Sequence, residues 1–449
     1  MRDVIGLAYK SYNRAKPFIE GKADREIRHP EWTRRILDYF ECPDHARNIM
    51  VTGSKGKGSH AILLAAILQR AGLRVGLFTG PHLVDFMERF RVDGTPIPET
   101  DFARLMHQVS EVSETLPVPG GQYIGPVGLL AVVAALWFRE QSTDVNVYEC
   151  GRGALHDDVN QVVHEVAVVA PIFLEHAREL GPTLADVARE KAGVVTDATK
   201  FVVSHKQTGE VLTEFHTACL RHGARFEIVE AEGLQTPRVH LPDPVSRTVD
   251  IELPSGVPYL SVNAEVAAAG ATAVFDIWPE LARRIPTLID LRQLQLPGRM
   301  QVVRDRPLTV VDGTIHRDSA RFIAAWLEEW RAGHAHGRVG LVFGLPVDKD
   351  VTGVLEVLCP WASFAIVAQA KNPHLHFDAG VASAARTLLE DVEECTDMGD
   401  AVRAADRRLG EGDLLLVLGT QSFVGDALLY FAAPTQSLWR VSQPGGVVR

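Results

Sequence analysis

A glycine-rich turn between a short apolar run and a helical pattern restricts this chain to a small set of folds. The apolar run covers 48–51 and predicts a strand, and the alanine-rich pattern at 59–71 predicts a helix. Glycines at such a turn let backbone N–H groups point at a phosphate, and the helix N-terminus adds a partial positive charge. The turn is Thr52-Gly53-Ser54-Lys55-Gly56-Lys57-Gly58-Ser59.

The spacing of this turn differs from that of the common P-loop. Three residues separate Gly53 from Lys57, and Gly58 stands before Ser59. An ordinary strand-to-helix turn is the alternative, but the lysine can reach terminal phosphates and the serine hydroxyl can bind Mg²⁺. The pattern therefore predicts a nucleotide phosphate site formed by Gly53, Ser54, Gly56, Lys57, Gly58 and Ser59.

Strand-like and helical segments alternate along the rest of the chain. Short β-branched runs separated by helices indicate βαβ units and a mostly parallel sheet covered by helices. The predicted strands are 48–51, 74–78, 145–149, 166–172 and 201–204, then 308–311, 339–343, 364–368 and 414–418. Residues 207–255 are less regular, and the segment 296–299 is the best linker. We expect two α/β domains, 1–296 with the phosphate loop and a smaller one at 297–449.

Charge and composition exclude several classes of protein. The formal net charge of −11 argues against a chain that coats nucleic acid or an anionic membrane. The longest apolar stretch, 124–138, is too short to span a bilayer and predicts a buried helix. The N-terminus lacks the apolar core of a secretory signal. The 5 scattered cysteines favour neither disulfides nor a zinc site. We expect a cytoplasmic protein with small-molecule partners, as a monomer or small homo-oligomer, without nucleic-acid or membrane partners.

Several motifs together resemble the folylpolyglutamate synthase and dihydrofolate synthase family of the Mur ligase superfamily. They run over nearly the whole chain, and it is the combination that is specific. Besides the phosphate loop they are Phe78-Thr79-Gly80-Pro81-His82-Leu83, Glu88 to Gly94, Glu149-Cys150-Gly151, Asp157 to Asn160, Glu190 to Val194, Pro297-Gly298-Arg299, Asp312-Gly313, Phe343-Gly344 and Asp348-Lys349-Asp350. The resemblance implies a Mur-ligase-like fold, with a P-loop ATPase domain and a smaller Rossmann-like C-terminal domain.

The resemblance also implies an ATP-dependent carboxylate–amine ligase that acts through an acyl phosphate. Such an enzyme adds glutamate or another amino acid to a folate-like acceptor, with ATP and one or two Mg²⁺ ions. One alternative is a divergent paralogue, a pathway-specific or poly-γ-glutamate-type ligase acting on a non-folate acid. A protein that binds nucleotide without turnover is a further alternative.

Metal and catalytic residues follow from the resemblance and from the chemistry of phosphoryl transfer. Ser59 is a candidate metal ligand through its hydroxyl in the phosphate loop. Glu149 is another, because it ends a predicted strand and ligands bind at strand ends in α/β sheets. His176 matches a metal-binding histidine of the family, although a lone histidine is often structural. Lys191 matches a lysine that the family carboxylates to a carbamate, a modification that would turn a cation into an oxygen ligand. The alternative is a surface lysine paired with Glu190 or Asp186. The candidate catalytic residues are Lys57, Lys191 and His176.

The resemblance assigns further residues to the nucleotide and the substrates. For the nucleotide they are Asn263 near adenine, Arg299 on phosphate and Asp312 on the ribose hydroxyls. For the substrates they are His82, Asp157 and Lys349, the last of which is nearly as well explained as a solvated charge.

Several positions depart from the pattern of the family, and four of them bear most directly on the site. Lys55 adds a cation to the phosphate loop, and Glu175 replaces an aspartate. Leu155 and Ile315 stand where the family has an arginine and a histidine. Because the phosphate and metal groups persist, these departures indicate a ligase with an altered substrate.

Overall fold

The structure is a computed structural model that describes residues 1–41, 47–234, 236–242, 246–346, 349–372 and 380–439, with 283 and 284 described by backbone alone. Cys42 and Asp348 lie outside the described residues. The strands are β1 Asn48–Thr52, β2 Val75–Phe78, β3 Phe90–Val92, β4 Thr95–Pro96, β5 Val145–Glu149, β6 Val166–Val169, β7 Phe201–His205, β8 Arg225–Val229, β9 Arg238–His240, β10 Thr248–Glu252, β11 Leu288–Asp290, β12 Gln301–Asp305, β13 Leu308–Asp312, β14 Val339–Gly344, β15 Phe364–Val367, β16 Val392–Glu394 and β17 Leu414–Gly419.

The helices interleave with these strands, as the alternating pattern predicts. They are α1 Arg2–Ile19, α2 Asp24–Ile27, α3 Glu31–Tyr39, α4 Lys57–Arg70, α5 Glu99–Thr115, α6 Pro126–Glu140, α7 Ala177–Leu180, α8 Leu184–Ala192, α9 Gly209–His222, α10 Leu260–Ile277, α11 Arg317–Gly333, α12 Val351–Leu358, α13 Gly380–Arg386, α14 Met398–Asp406 and α15 Gln421–Tyr430.

The first sheet has the strand order β4-β3-β2-β5-β1-β6-β7-β8. Strands β2, β5, β1, β6, β7 and β8 run parallel, while β3 and β4 join antiparallel at one edge. Strand β1 pairs with β5 on one side and β6 on the other, so the strand order reverses at β1. Open α/β sheets bind ligands at the carboxyl ends of strands beside such a reversal, and the glycine-rich turn lies at that point.

The described residues form three sheets, and the third, in the C-terminal part of the chain, confirms the predicted α/β class. Its order is β12-β13-β17-β14-β15-β16, and only β12 is antiparallel to its neighbour. All strands of the first sheet lie within residues 48–229 and all strands of the third within 301–419. The division at 296/297 is compatible with this arrangement and stays a prediction.

The irregular segment 207–255 holds more structure than the sequence pattern indicated. Strand β8 is an edge strand of the first sheet, and β9 and β10 join β11 in a separate three-stranded sheet. Buried residues of this small sheet, α4, α10 and one face of the first sheet form a common core. The other face packs against α5 and α6. The sheet carrying the glycine-rich turn is therefore covered on both sides and held rigidly.

Among the described helices, α10 is the one that is long and apolar enough to cross a membrane, judged by length and composition alone. Its residues Ala264, Ala267 and Ala271 are fully buried in the core shared with α4. This packing explains its apolar composition without a membrane. The predicted buried helix at 124–138 corresponds to α6.

The last described residues return to the first sheet, and we call 434–439 the C-terminal strap. Leu438 and Trp439 are buried in the core with α4 and α10. The backbone N–H of Leu438 donates to the carbonyl of Gly94 (3.3 Å), and the carbonyl of Leu438 accepts from Gln295 N (2.8 Å). The strap thus ties residues that follow the third sheet to the edge of the first.

Candidate functional site

A cavity of about 570 Å³ opens at the carboxyl ends of β1, β2 and β5. Its wall includes the glycine-rich turn with the start of α4, the segment 78–91, the segments 149–152 and 175–176, and residues from the C-terminal half. Among the described lining residues, the basic ones are Lys55, Lys57, Arg89, Arg91, Arg152, Arg299 and Lys349, and the acidic ones are Glu88, Glu149 and Glu175. A cation-rich cavity in a chain with net charge −11 suits polyanionic ligands.

The conformation of the turn depends on its glycines. Gly53 has φ +140°, and a Cβ there would lie 2.7 Å from the Cβ of Ala170. Gly56 has φ +85° and immediately precedes α4. The Lys57 ammonium donates to the carbonyl of Gly53 (2.9 Å) and folds back over the turn. The turn therefore presents a helix N-terminus and a lysine to the cavity, the combination that binds phosphate.

Glu149 lies opposite the start of α4. Its Oε2 accepts a hydrogen bond from Gly80 N (3.1 Å), and a Cβ at Gly58 would lie 3.4 Å from the same oxygen. Burial raises the pKa of Glu149, and the positive charges of Lys57, Arg299 and Arg89 oppose that rise. A buried carboxylate next to the phosphate loop is a natural ligand for a divalent cation.

Lys191 is completely buried at the far side of the turn. Its ammonium donates to the carbonyls of Gly53 (2.8 Å) and Arg152 (2.6 Å) and forms an ion pair with Glu175 (3.1 Å). The alternative of a surface lysine paired with Glu190 or Asp186 is wrong because the side chain is 0% exposed. Burial, followed by the charge of Lys57, lowers the pKa of Lys191 to about 8.

His176 and Glu175 sit together beside this lysine. Oε2 of Glu175 lies 3.7 Å from His176 Nε2. Burial opposes ionisation of Glu175, but the charges of Lys191 and Lys57 outweigh burial and lower the pKa of Glu175. Burial lowers the pKa of His176, which favours the neutral imidazole that binds metals. Glu175 was noticed in the sequence only as a substitution, and the structure places it at the centre of this cluster.

The donor set can be compared with what a divalent cation requires. Ser59, Glu149 and His176, together with Glu175, all line the cavity and offer oxygen and neutral imidazole ligands. Mg²⁺ prefers a few protein oxygens plus water and phosphate, and Mn²⁺ also accepts imidazole. In the described part of the chain, no group of 3 or more His, Cys, Asp or Glu side chains is arranged so that it could hold a metal ion by itself. The residues therefore fit a cation that shares its coordination with a bound nucleotide.

The predicted nucleotide ligands of the C-terminal half divide into two groups. Arg299 lines the cavity, and its Nη1 donates to Gly298 O (2.9 Å). Asn263, in the first turn of α10, and Asp312 are not among the lining residues. Asp312 is buried with both carboxylate oxygens accepting hydrogen bonds from Tyr259 Oη (2.6 Å), Met300 N (2.9 Å) and Thr314 Oγ1 (2.5 Å). The structure gives Asp312 internal partners, so a contact with ribose would require them to move.

The predicted substrate residues divide in the same way. His82 lines the cavity and accepts a hydrogen bond from Arg89 Nε through Nδ1 (3.1 Å), and Lys349 lines the opposite side. Asp157 is absent from the lining and buried. It accepts from Gly151 N (3.1 Å) and Val159 N (3.0 Å). Asp157 thus shapes the loop after β5 and lies away from the cavity surface.

The segment 83–91 carries functional groups that sequence reasoning missed. Glu88 is buried and accepts from Leu83 N (3.0 Å), Asp85 N (3.0 Å) and the Thr435 hydroxyl of the C-terminal strap (2.5 Å). Arg91 donates to the carbonyl of Thr435 (3.1 Å). The strap therefore helps to hold the cavity wall that bears His82 and Arg89. Local sequence patterns do not predict a contact between segments so far apart in the chain.

Two buried histidines support the turn from behind. Nε2 of His60 lies 2.7 Å from Nε2 of His205, and Nδ1 of His60 lies 2.8 Å from Gly56 O. Since a carbonyl only accepts, His60 Nδ1 carries its proton and His60 Nε2 accepts from His205. Burial lowers the pKa of His60 to about 4, and burial followed by the neighbouring His60 lowers that of His205 to about 3.

This pair predicts a loss of stability in acid. Unfolded histidines take up protons near pH 6.5 while the folded pair stays neutral, so each destabilises the fold as pH falls below that value. His205→Gln should reduce the pH 7 to pH 5 drop in the free energy of unfolding by about 2 kcal/mol. Urea titrations at both pH values measure this drop, with the exposed His216→Gln as control. An unchanged drop in His205→Gln would contradict the neutral pair.

Comparison with known proteins places this geometry in context. Residues 298–421 match the Mur ligase, glutamate ligase domain family. The chain is 29% identical over 444 residues to the Haloferax volcanii protein described as "Probable bifunctional folylpolyglutamate synthase/dihydropteroate synthase". The match covers 91% of this chain and 48% of that protein. The chain therefore spans about half the length of that relative. It is 26% identical to the Escherichia coli dihydrofolate synthase/folylpolyglutamate synthase, covering 82% of this chain and 83% of that protein.

Solved structures show the same fold over almost the whole chain. A Mycobacterium tuberculosis folylpolyglutamate synthase complexed with ADP superposes with a TM-score of 0.74 at 23% identity, covering 96% of this chain and 100% of that one. A bifunctional folylpolyglutamate synthase/dihydrofolate synthase with Mn, AMPPNP and L-glutamate bound gives 0.71 at 24% identity, covering 90% and 94%. The predicted Mur-ligase-like architecture is thereby confirmed.

Proposed function

We propose that this chain, which belongs to the folylpolyglutamate synthase and dihydrofolate synthase family of the Mur ligase superfamily, is an ATP-dependent ligase. It joins glutamate to a carboxylate of a folate-like acceptor. One observation carries the proposal: the phosphate loop, the buried Glu149 and the Glu175–His176 pair line one cation-rich cavity, and the part matched to a glutamate ligase domain forms its far wall. ATP and a divalent cation are the required co-substrate and cofactor.

The residues around the cavity suit successive parts of this reaction. The amides of the turn and Lys57 hold the phosphates of ATP, and Ser59, Glu149 and His176 hold the divalent cation, which neutralises phosphate charge. The cationic side chains Arg89, Arg91 and Arg152 orient the carboxylates of acceptor and amino acid. Such positioning and charge stabilisation supply most of the catalysis in phosphoryl transfer. The acceptor carboxylate attacks the γ-phosphorus of ATP and displaces ADP to form an acyl phosphate. The neutral amine of the amino acid then attacks the acyl carbon, and phosphate and a proton leave as the amide forms.

We further propose that Lys191 acts as a carbamate. The neutral Nζ attacks CO₂, forms an N–C bond and releases a proton. A buried lysine with a pKa of about 8 has an appreciable neutral fraction near physiological pH, which favours this reaction. The carbamate would then oppose Glu175 as a second anion, a pair that a divalent cation between them would stabilise.

The proposed function is tested by measuring phosphate release and amide formation with the purified chain. Phosphate release should require ATP, a divalent cation, an acceptor and an amino acid together, with folates or pteroates and glutamate as the first choice. Release of phosphate without any acceptor, or nucleotide binding without amide formation across a panel of acceptors, would contradict the proposal.

A non-folate acceptor is the second candidate, and particular side chains favour it. Ile315 lines the cavity where the family has a histidine, and Leu155, where the family has an arginine, is 49% exposed. Two polar groups have thus been exchanged for apolar ones. If amide formation is found with a poly-γ-glutamate-type or other small acid and not with pteroates and folates, this candidate replaces the first.

Arg299 should act as the main contact of the C-terminal half with ATP. It lies in the segment between the two large sheets, where one guanidinium can contact phosphate held by the turn. Arg299→Ala should raise the KM for ATP by about tenfold or more, the effect of one lost charge-assisted hydrogen bond. The KM for the acceptor should change little, and Arg292→Ala, on an exposed pair with Asp290, is the control. An unchanged KM for ATP would remove Arg299 from the nucleotide site.

A further inference from the structure

Lys55 is the residue of the phosphate loop that reaches the other half of the molecule. Its Nζ donates to the carbonyl of Gly313 at 2.5 Å, across 258 positions of sequence. Gly313 follows β13 in the third sheet, whereas Lys55 follows β1 at the centre of the first. The contact therefore connects the two large sheets through the cavity itself.

The surroundings of this ammonium carry charges of both signs. Arg299 repels it, Asp312 and Glu175 attract it, and Lys57 repels it. The side chains of Arg299 and Lys55 both approach Gly313, where a Cβ would lie 2.5 Å from Arg299 Nη1. Burial, followed by the charge of Arg299, lowers the pKa of Lys55 to about 7. A partly buried cation that lines the cavity beside Arg299 and Lys57, and that donates to one carbonyl, offers a favourable site for an anion.

We propose that Lys55 binds the polyphosphate of the nucleotide while it still donates to Gly313, so that an occupied phosphate loop holds the two sheets together. This inference rests on the proposed function and adds a residue to the nucleotide site that closes the cleft. An ammonium has three N–H donors, so one can remain on Gly313 while the others reach phosphate oxygens. The negative phosphates offset the repulsion from Arg299 and Lys57, which makes the closed arrangement more stable with nucleotide than without it.

A consequence of this arrangement is proton uptake on binding. When an anion arrives next to Lys55, its ammonium form is favoured, so at pH 8 a proton should be taken up together with the nucleotide. The charged groups facing Lys55 are Arg299, Lys57, Asp312 and Glu175. Asp312 has its own hydrogen-bond donors in Tyr259, Met300 and Thr314.

The test uses the full chain, a non-hydrolysable ATP analogue with Mg²⁺, and the variants Lys55→Met and Lys55→Asn. Calorimetry in two buffers of different ionisation enthalpy, at pH 8, gives both affinity and proton uptake. Solution scattering with and without the analogue gives the change in radius of gyration. Lys206→Met, at an exposed pair with Glu230, is the matched control. Circular dichroism and thermal melting confirm that each variant is folded.

Both Lys55 variants should bind the analogue about tenfold to a hundredfold more weakly, the range for a lost hydrogen bond to a charged group. They should also lose most of the proton uptake and most of the compaction. Wild-type affinity and wild-type compaction in a folded Lys55→Met variant would overturn the inference and leave the proposed ligase intact. Failure of the wild-type chain to bind the analogue at all would instead overturn the proposed function.

Discussion

Lys57→Ala should abolish ligation and leave the fold intact. The ammonium of Lys57 lies over the turn, 2.9 Å from Gly53 O, with Glu149 and Lys191 close enough for their charges to interact. It is the cation best placed to follow charge on the phosphoryl group as it transfers. Loss of one such electrostatic contact costs on the order of 10²–10³ in rate.

The measurement is amide formation and acceptor-dependent phosphate release under saturating ATP. Lys206→Ala serves as the control because that lysine is exposed and pairs only with Glu230 among the contacts described. Urea unfolding should show little difference between Lys57→Ala and wild type, since the hydrogen bonds of the ammonium to described residues go to backbone carbonyls of its own turn. Near-normal turnover in Lys57→Ala would remove the turn from the catalytic site.

Lys191→Ala should reduce activity by at least on the order of 10². Two physical roles for this side chain predict that loss, and small molecules distinguish them. If the carbamate is the working form, a short carboxylic acid that fills the vacated space should partly restore activity, and removal of bicarbonate should slow the wild-type enzyme. If the unmodified ammonium is the working form, a short alkylamine should restore activity instead.

The variant Lys191→Gln separates catalysis from folding. Glutamine can still donate to the carbonyls of Gly53 and Arg152, the partners of the lysine in the structure, but it cannot be carboxylated. The Ala variant removes the lysine donor from the carbonyl of Arg152, one of two lysine donors from the carbonyl of Gly53, and the ion pair of Glu175, so it should unfold at lower urea. A folded Lys191→Gln variant with wild-type turnover would rule out both chemical roles and leave Lys191 as a structural residue.

The conformation of the glycine-rich turn could be predicted from the sequence because its signals are local. Glycines with positive φ, a strand before them and a helix after them are all encoded within about a dozen neighbouring residues, and Gly53 and Gly56 have those conformations. The same holds for Glu149, whose position at the end of a parallel strand implies the cavity edge. Here pattern and structure coincide because parallel strands share one carboxyl edge.

Contacts between distant segments could not be predicted in this way. The sequence placed Asp312 and Asp157 in the candidate site, but the structure gives both of them internal hydrogen bonds. Conversely, Lys55 stood out as an unusual residue, and only the fold reveals that it reaches Gly313. Which of several carboxylates remains accessible to a ligand depends on the packing of loops, and that packing involves residues hundreds of positions apart.

The C-terminal strap has a consequence for how the protein is made. Trp439 covers Gly94, where a Cβ would come within 2.8 Å of the indole, and Thr435 completes the hydrogen bonds of Glu88. The edge of the first sheet and the His82 side of the cavity therefore lack these partners until residue 439 has left the ribosome. Domains form in order of synthesis, and contacts of such large sequence separation close late. In a nascent chain stalled after the third sheet, the first sheet should be folded, but its β3–β4 edge should still be exposed to chaperones and to proteolysis.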